Sequence, residues 1–164
     1  MKKAKNRVKQ PSDLSGRELV ITRLLDAPRE LVFKVWTEPE HVAQWWGPDG
    51  FINTIHEMDV KPGGIWRLTM HGPDGVDYPN KITFHKVVRP KLLVYSHGNE
   101  NDPEQFEVSV NFVKKGQKTE LTMRGVFSTK EELDLVVEKY GAREGQTQTI
   151  NRLEAYLRVL SQSF

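Results

Sequence analysis

A period of two governs this chain from Trp66 onward, and that alternation restricts its fold more than any other feature. Trp66, Leu68 and Met70 fall on one side, and Arg67, Thr69 and His71 on the other. Phe106, Val108, Val110 and Phe112 alternate with Glu107, Ser109 and Asn111; Leu121, Met123 and Phe127 alternate with Glu120, Thr122 and Arg124. Successive side chains of a strand point to opposite faces, so the pattern describes a sheet with one wet face and one covered face. Turn signals separate the strands. They are Pro62-Gly63-Gly64, Gly72-Pro73-Asp74-Gly75, Arg89-Pro90-Lys91, the polar stretch GNENDPEQ, and Lys115-Gly116-Gln117. With the earlier segments ELVITRLL and FINTIHEMDV, these strands read as an antiparallel meander.

Such a sheet needs a cover. Ser128 and Glu131 read as a capping box that opens a helix carrying Leu133, Val136, Val137 and Tyr140. Gly141 interrupts it, and a longer helix follows with Ile150, Leu153, Leu157 and Leu160 on one stripe. Near the start of that helix Gly145, Gln146 and Thr149 are small or polar where the stripe should be apolar, as expected if this end faces a cavity. Two shorter helices are expected near the N-terminus. Pro28 precedes Leu31, Val32, Val35 and Trp36 at helical spacing, and Thr37 with Glu40 gives a second capping signal before Gly47-Pro48. The expected fold class is α+β, a curved antiparallel sheet that grips a long C-terminal helix.

At 164 residues the chain is long enough for one domain with a real core, expected over residues 17–164. Residues 1–16 read as a basic, disordered arm: Lys2, Lys3, Lys5, Arg7 and Lys9 stand in the first ten residues without an acid among them. The arm has no aromatic side chain to stack on bases, so no nucleic-acid partner is expected. No apolar run approaches the roughly 18–20 residues that span a bilayer, and no apolar segment follows the basic start as in a secretory signal. Stable membrane insertion is therefore not expected. There is no cysteine, which removes disulfides, zinc-thiolate sites and cysteine nucleophiles and fits a cytoplasmic protein.

Three of the four tryptophans stand in WTEPEHVAQWWGPDGF, and the fourth follows in GGIWRLTM. Tryptophan gathered at one edge of a curved sheet either plugs a core or lines a cavity. The order DAPRELVFKVWTEPEHVAQWWGP, DVKPGGIWRLTM, DGVDYPN, VVRPKLLVYSH and YGAREGQTQTINRLEAYL resembles the SRPBCC superfamily of START-like, helix-grip proteins. Within it, the chain is similar to the family named after the C-terminal domain of the activator of the 90-kDa heat-shock protein ATPase. The resemblance covers about residues 18 to 160. It implies a sheet of about seven strands around the C-terminal helix with a deep apolar cavity between them. It implies a function class only broadly, since such proteins include co-chaperone domains, small-molecule binders and polyketide cyclases. The eukaryotic co-chaperone carries a separate N-terminal domain for which this chain has only the short arm.

The candidate ligand-binding residues are Trp45, Trp46, Phe51, Trp66, Met70, Tyr78, Phe84, Tyr95, His97, Phe106, Met123, Thr149 and Leu153. Aromatic rings supply apolar area and the methionines an adaptable, polarizable lining. A packed core is the competing reading of each. Of the five histidines, parity puts His71 and His85 on the wet face. His97 shares a face with Leu93 and Tyr95 and looks inward, or else stands at the rim bonded to a loop. No H-x-H, H-E-x-x-H or acid pair at ligand spacing is found, so neither metal nor cofactor is expected. G-x-S-x-G is absent, and no catalytic residue is assigned. Tyr95 with His97 is the best pair for an acid–base site. The expected function is binding of an apolar small molecule or lipid-like ligand in an aromatic cavity. The alternatives are a polyketide cyclase-like or hydrolytic enzyme using that cavity, and a co-chaperone-like module with a chaperone partner, expected to be in stress response.

Overall fold

A computed structural model describes residues 16–162; the basic arm falls outside them apart from Gly16. The elements run in the order β1 (Glu18–Leu25), α1 (Arg29–Thr37), α2 (Pro39–Val42), β2 (Ile52–Met58), β3 (Ile65–His71), β4 (Asp77–Val88), β5 (Leu92–Gly98), β6 (Phe106–Lys115), β7 (Lys118–Phe127), α3 (Lys130–Tyr140) and α4 (Ala142–Gln162). The strands form one antiparallel sheet in the order β1-β7-β6-β5-β4-β3-β2. The meander from β2 to β7 is thus continuous, and β1 returns to pair with β7 from Glu18 opposite Val126 to Leu25 opposite Thr119. Register shifts between Ile55 and Glu57 and between Phe84 and Lys86 are bulges, which bend a sheet and strengthen its twist. The result is the expected α+β helix-grip arrangement.

Neither capping signal read from the sequence acts where the spacing places it. Thr129, not Ser128, caps α3; its hydroxyl accepts the Glu132 amide at 3.0 Å. The pair Thr129/Glu132 has the same spacing as Ser128/Glu131, and the chain takes the later one. Thr37 caps nothing. Its hydroxyl donates back to the Phe33 carbonyl at 2.8 Å inside α1, and α2 begins at Pro39 with Glu38 at its N-cap. Gly141 closes α3 in the left-handed conformation, φ 63°, and α4 starts at the next residue.

The larger hydrophobic cluster fills the concave face. It joins Val32, Phe33, Val35 and Trp36 of α1 to Trp66, Leu68, Ile82, Phe84, Leu93 and Tyr95 of the sheet and to Ile150, Leu153 and Leu157 of α4. Rings meet edge to face there, Trp36 with Trp45 at 4.9 Å and Phe33 with Phe112 at 5.2 Å. A smaller cluster of Leu19, Phe127 and Leu133, with Val136, Val137 and Ala142 against it, holds α3 to the β1–β7 edge. Phe106 packs against both clusters.

Two glycines explain the WWGP and PGG-x-W motifs. Gly47 in WWGP has φ 93°, and a Cβ there would lie 2.8 Å from Met70 Cε. Gly64 in PGG-x-W lies so close to the Asp59 carbonyl that a Cβ would be 1.9 Å from its oxygen. Only glycine fits either turn.

Candidate functional site

The seam between the two clusters is not filled. A cavity of about 290 Å³, partly open to solvent, lies between the sheet, the α3–α4 corner and the Gly47–Pro48 loop. Small residues leave this space. Gly125 stands on β7 between Met123 and Phe127, at an inward position where alternation asks for an apolar side chain, and a Cβ there would only reach ordinary contact with Phe106 and Phe127 at 3.8 Å. Gly145 on α4 faces Pro48, whose Cγ would be 3.4 Å from an added Cβ.

Six of the sequence candidates meet at this cavity: Trp46, Met70, His97, Phe106, Met123 and Thr149. The structure places the others elsewhere. Trp45, Trp66, Phe84, Tyr95 and Leu153 are fully buried in the larger cluster and do not border the space. Trp45 donates its indole N–H to the Val35 carbonyl at 3.1 Å, and Trp66 stacks on Phe84 at 6.4 Å. Phe51 and Tyr78 pair outside, with ring centroids 5.8 Å apart; the Tyr78 hydroxyl donates to Asp74 at 3.2 Å. Parity puts a residue on a face but does not say how far along the strand the cavity extends. It lies at the end of the sheet where β5 finishes and β6 begins, so His97 and Phe106 reach it and Leu93 and Tyr95 do not.

Leu19, Pro48, Val108, Phe127, Val136 and Tyr140 also line it, and sequence reasoning missed them. The gap in the apolar row at Gly125 was the available signal.

The polar side chains of the lining are few. No Asp, Glu, Lys or Arg belongs to it. Thr149 donates its hydroxyl to the Gly145 carbonyl at 2.8 Å, and Gln146 Nε2 donates to the Leu19 carbonyl at 3.2 Å. His97 is held by Asn80, whose Oδ1 is 2.7 Å from Nε2. Asn80 Nδ2 in turn donates to the Tyr78 carbonyl at 2.9 Å, which fixes the amide with its oxygen toward the imidazole. His97 therefore carries its proton on Nε2 and is not bonded to a loop. Its ring stacks on Phe106 at 4.9 Å and lies 6.3 Å from Trp46. Burial among these rings, with no acid beside it, pushes the imidazole pKa down to about 4. Tyr95 is a separate case. Burial in the core pushes its hydroxyl pKa up, and the neighbouring Trp36 indole acts in the opposite direction.

The wall at residues 46–51 is tied to α4 by two side chains, Gln148, whose Oε1 accepts the Asp49 amide at 3.0 Å, and Arg152. Arg152 donates to the carbonyls of Trp46, Gly47, Pro48 and Phe51 at 2.8 to 3.0 Å. The remaining histidines bond outside the cavity, His71 to Thr54 and Asp77, His56 to Thr69, and His85 to Ser96. Among the described residues, Glu38, Glu40 and His41 bring ligand-type atoms within 4.8 Å of one another, a grouping the sequence spacing did not suggest. His41 Nδ1 is engaged by the Tyr156 hydroxyl at 2.7 Å, which docks α2 on α4.

Residues 26–158 match the family described as Activator of Hsp90 ATPase homolog 1-like protein. Among solved structures, the chain is similar to a protein of Mycobacterium smegmatis at 27% identity and TM-score 0.81, covering 90% of this chain and 95% of that one. A protein of Arthrobacter aurescens shares the fold at 23% identity and TM-score 0.80, covering 89% and 88%. An AHSA1-like protein of Aeromonas hydrophila shares it at 18% identity and TM-score 0.65, covering 87% and 94%. No curated protein matches the chain.

Proposed function

The chain belongs to the Activator of Hsp90 ATPase homolog 1-like family, and from that premise we propose that it binds an apolar small molecule or lipid-like ligand in the cavity between sheet and helix. The observation that carries this reading is the apolar space itself, left by Gly125 and Gly145 beside an otherwise tightly packed core. At about 290 Å³ it stands at the lower edge of the roughly 300–1,000 Å³ typical of ligand pockets. That size suits a one- or two-ring aromatic or a medium acyl chain. A long lipid would project through the mouth beside the exposed Tyr140.

Binding is favoured over catalysis by the company His97 keeps. Its partner is an amide, not a carboxylate, and the Tyr95 hydroxyl is outside the lining. No acid is present to hold a charged imidazolium through a proton transfer. No helix among the described residues is long and apolar enough to cross a membrane. We place the protein in the cytoplasm, where a chain without cysteine lacks nothing it needs.

The test is titration with an apolar fluorescent dye, read by tryptophan quenching. One-to-one binding at low-micromolar affinity, about 8 kcal/mol, is expected. Met123→Trp should fill the space and abolish binding while the protein stays folded. Native mass spectrometry of protein from its own host should show an added mass. No saturable binding and no added mass would refute the proposal.

A further inference from the structure

We propose that the ligand carries a hydroxyl group, phenolic or alcoholic, which donates its hydrogen to Nδ1 of His97. The inference rests on the cavity being the ligand site. Asn80 Oδ1 accepts the hydrogen bond from Nε2–H, so Nδ1 presents a lone pair. Nδ1 has no hydrogen-bond partner among the described residues, yet it is not among the sealed, unpartnered atoms of the interior. It is therefore open to a small molecule. Phe106 stacks on the ring and Trp46 lies near it, so an aromatic or apolar body carrying the hydroxyl would sit among rings.

The chemistry is selective. An ether or a methylated hydroxyl has no hydrogen to give and leaves Nδ1 desolvated and unpaired. A carboxylate would set its own lone pairs against that of Nδ1, and no Lys or Arg of the lining would balance its charge. An ammonium would find no acid. A hydroxyl also accepts, and the Trp46 indole N–H likewise has no partner among the described residues and is not sealed. Sites built to receive a hydroxyl reject analogues lacking it far better than apolar pockets reject a missing methylene.

Three probes of one shape test this: 2-naphthol, 2-methoxynaphthalene and 2-naphthoate, titrated at pH 7 by tryptophan fluorescence. The wild type should bind 2-naphthol at least about tenfold more tightly than either of the others. His97→Phe, which keeps a stacking ring and removes the acceptor, should bring the ratio of naphthol to methoxynaphthalene to about one. A second measurement needs no variant. In ¹⁵N-labelled wild type, the His97 Nδ1 resonance should move toward the hydrogen-bonded position on adding 2-naphthol and stay in place with 2-methoxynaphthalene. Equal binding of all three, or an unmoved Nδ1, overturns the hydroxyl assignment and leaves the cavity reading standing. Binding of none overturns both.

Discussion

Arg152 of α4 places its Nη1 within 2.8 Å of the Pro48 carbonyl oxygen, and through that guanidinium the helix holds one wall of the cavity. The same group reaches the carbonyls of Trp46, Gly47 and Phe51, and burial lowers its pKa from the ordinary arginine value. A planar fork with several donors suits a turn whose carbonyls converge; an ammonium does not.

Arg152→Ala should therefore cost about 2–3 kcal/mol of stability, since it leaves several carbonyls without their donor. It should also weaken dye binding, because the Gly47–Pro48 turn loses its guanidinium donor. Arg152→Lys should recover only part of either. Urea denaturation and dye titration of the three proteins measure both effects. An alanine variant as stable as wild type would show that water replaces the guanidinium freely.

Core and cavity are separable by truncation. Trp66 is fully buried and packs on Trp46 and Phe84, so Trp66→Ala should cost the full core penalty of about 3–5 kcal/mol. Met123 already borders empty space, so Met123→Ala should cost less than about 2 kcal/mol while changing dye affinity more. Equal stability losses would mean that the Met123 side chain is packed as tightly as the core.

The His97 imidazole makes stability depend on pH in a definite direction. Above pH 6.5 it is neutral in both folded and unfolded chains and contributes no slope. Between pH 6.5 and about 4 the unfolded chain binds the proton and the folded one does not, so stability falls as pH falls. Below about 4 the folded form protonates too and the slope ends. The loss across the window is at most about 3 kcal/mol. His97→Phe should flatten this part of the profile, measured by urea midpoints from pH 7 to 4. An unchanged slope would assign it to other groups.

Neighbouring glycines of the PGG turn should differ sharply. Gly63 has φ 83° with open space around it, so Gly63→Ala should cost about 1 kcal/mol from backbone strain. Gly64→Ala would drive a methyl into the Asp59 carbonyl and should cost several times more. Thermal melting of the two variants compares them directly; similar midpoints would show that the turn yields.

Alternation made the sheet legible, because a period of two is a property of each strand alone. The stripe of Ile150, Leu153 and Leu157 made α4 legible for the same reason. Capping at α3 was one residue off because Ser128 and Thr129 offer the same chemistry at adjacent positions, and local spacing does not choose between them. The cavity was only half legible. Residue type marks Trp46, Trp66 and Tyr95 alike as aromatic, but only the first borders the space. Which ring is core and which is lining depends on distance along the strand from the α3–α4 corner, a tertiary quantity. The absences at Gly125 and Gly145, more than the aromatic residues, locate the void.

The void follows a seam between two separately packed clusters, and this has a bearing on how such proteins diverge. Exchanging Leu19, Gly125, Val136 or Gly145 for a larger or smaller side chain would reshape the chamber without removing a contact among Trp36, Trp66, Phe84 and Leu153. The shape of the chamber thus depends in part on residues other than those that pack Trp36, Trp66, Phe84 and Leu153 together. Descendants of one ancestral sequence can change the size and shape of this chamber by a few substitutions along the seam, with the grip of sheet on helix inherited intact.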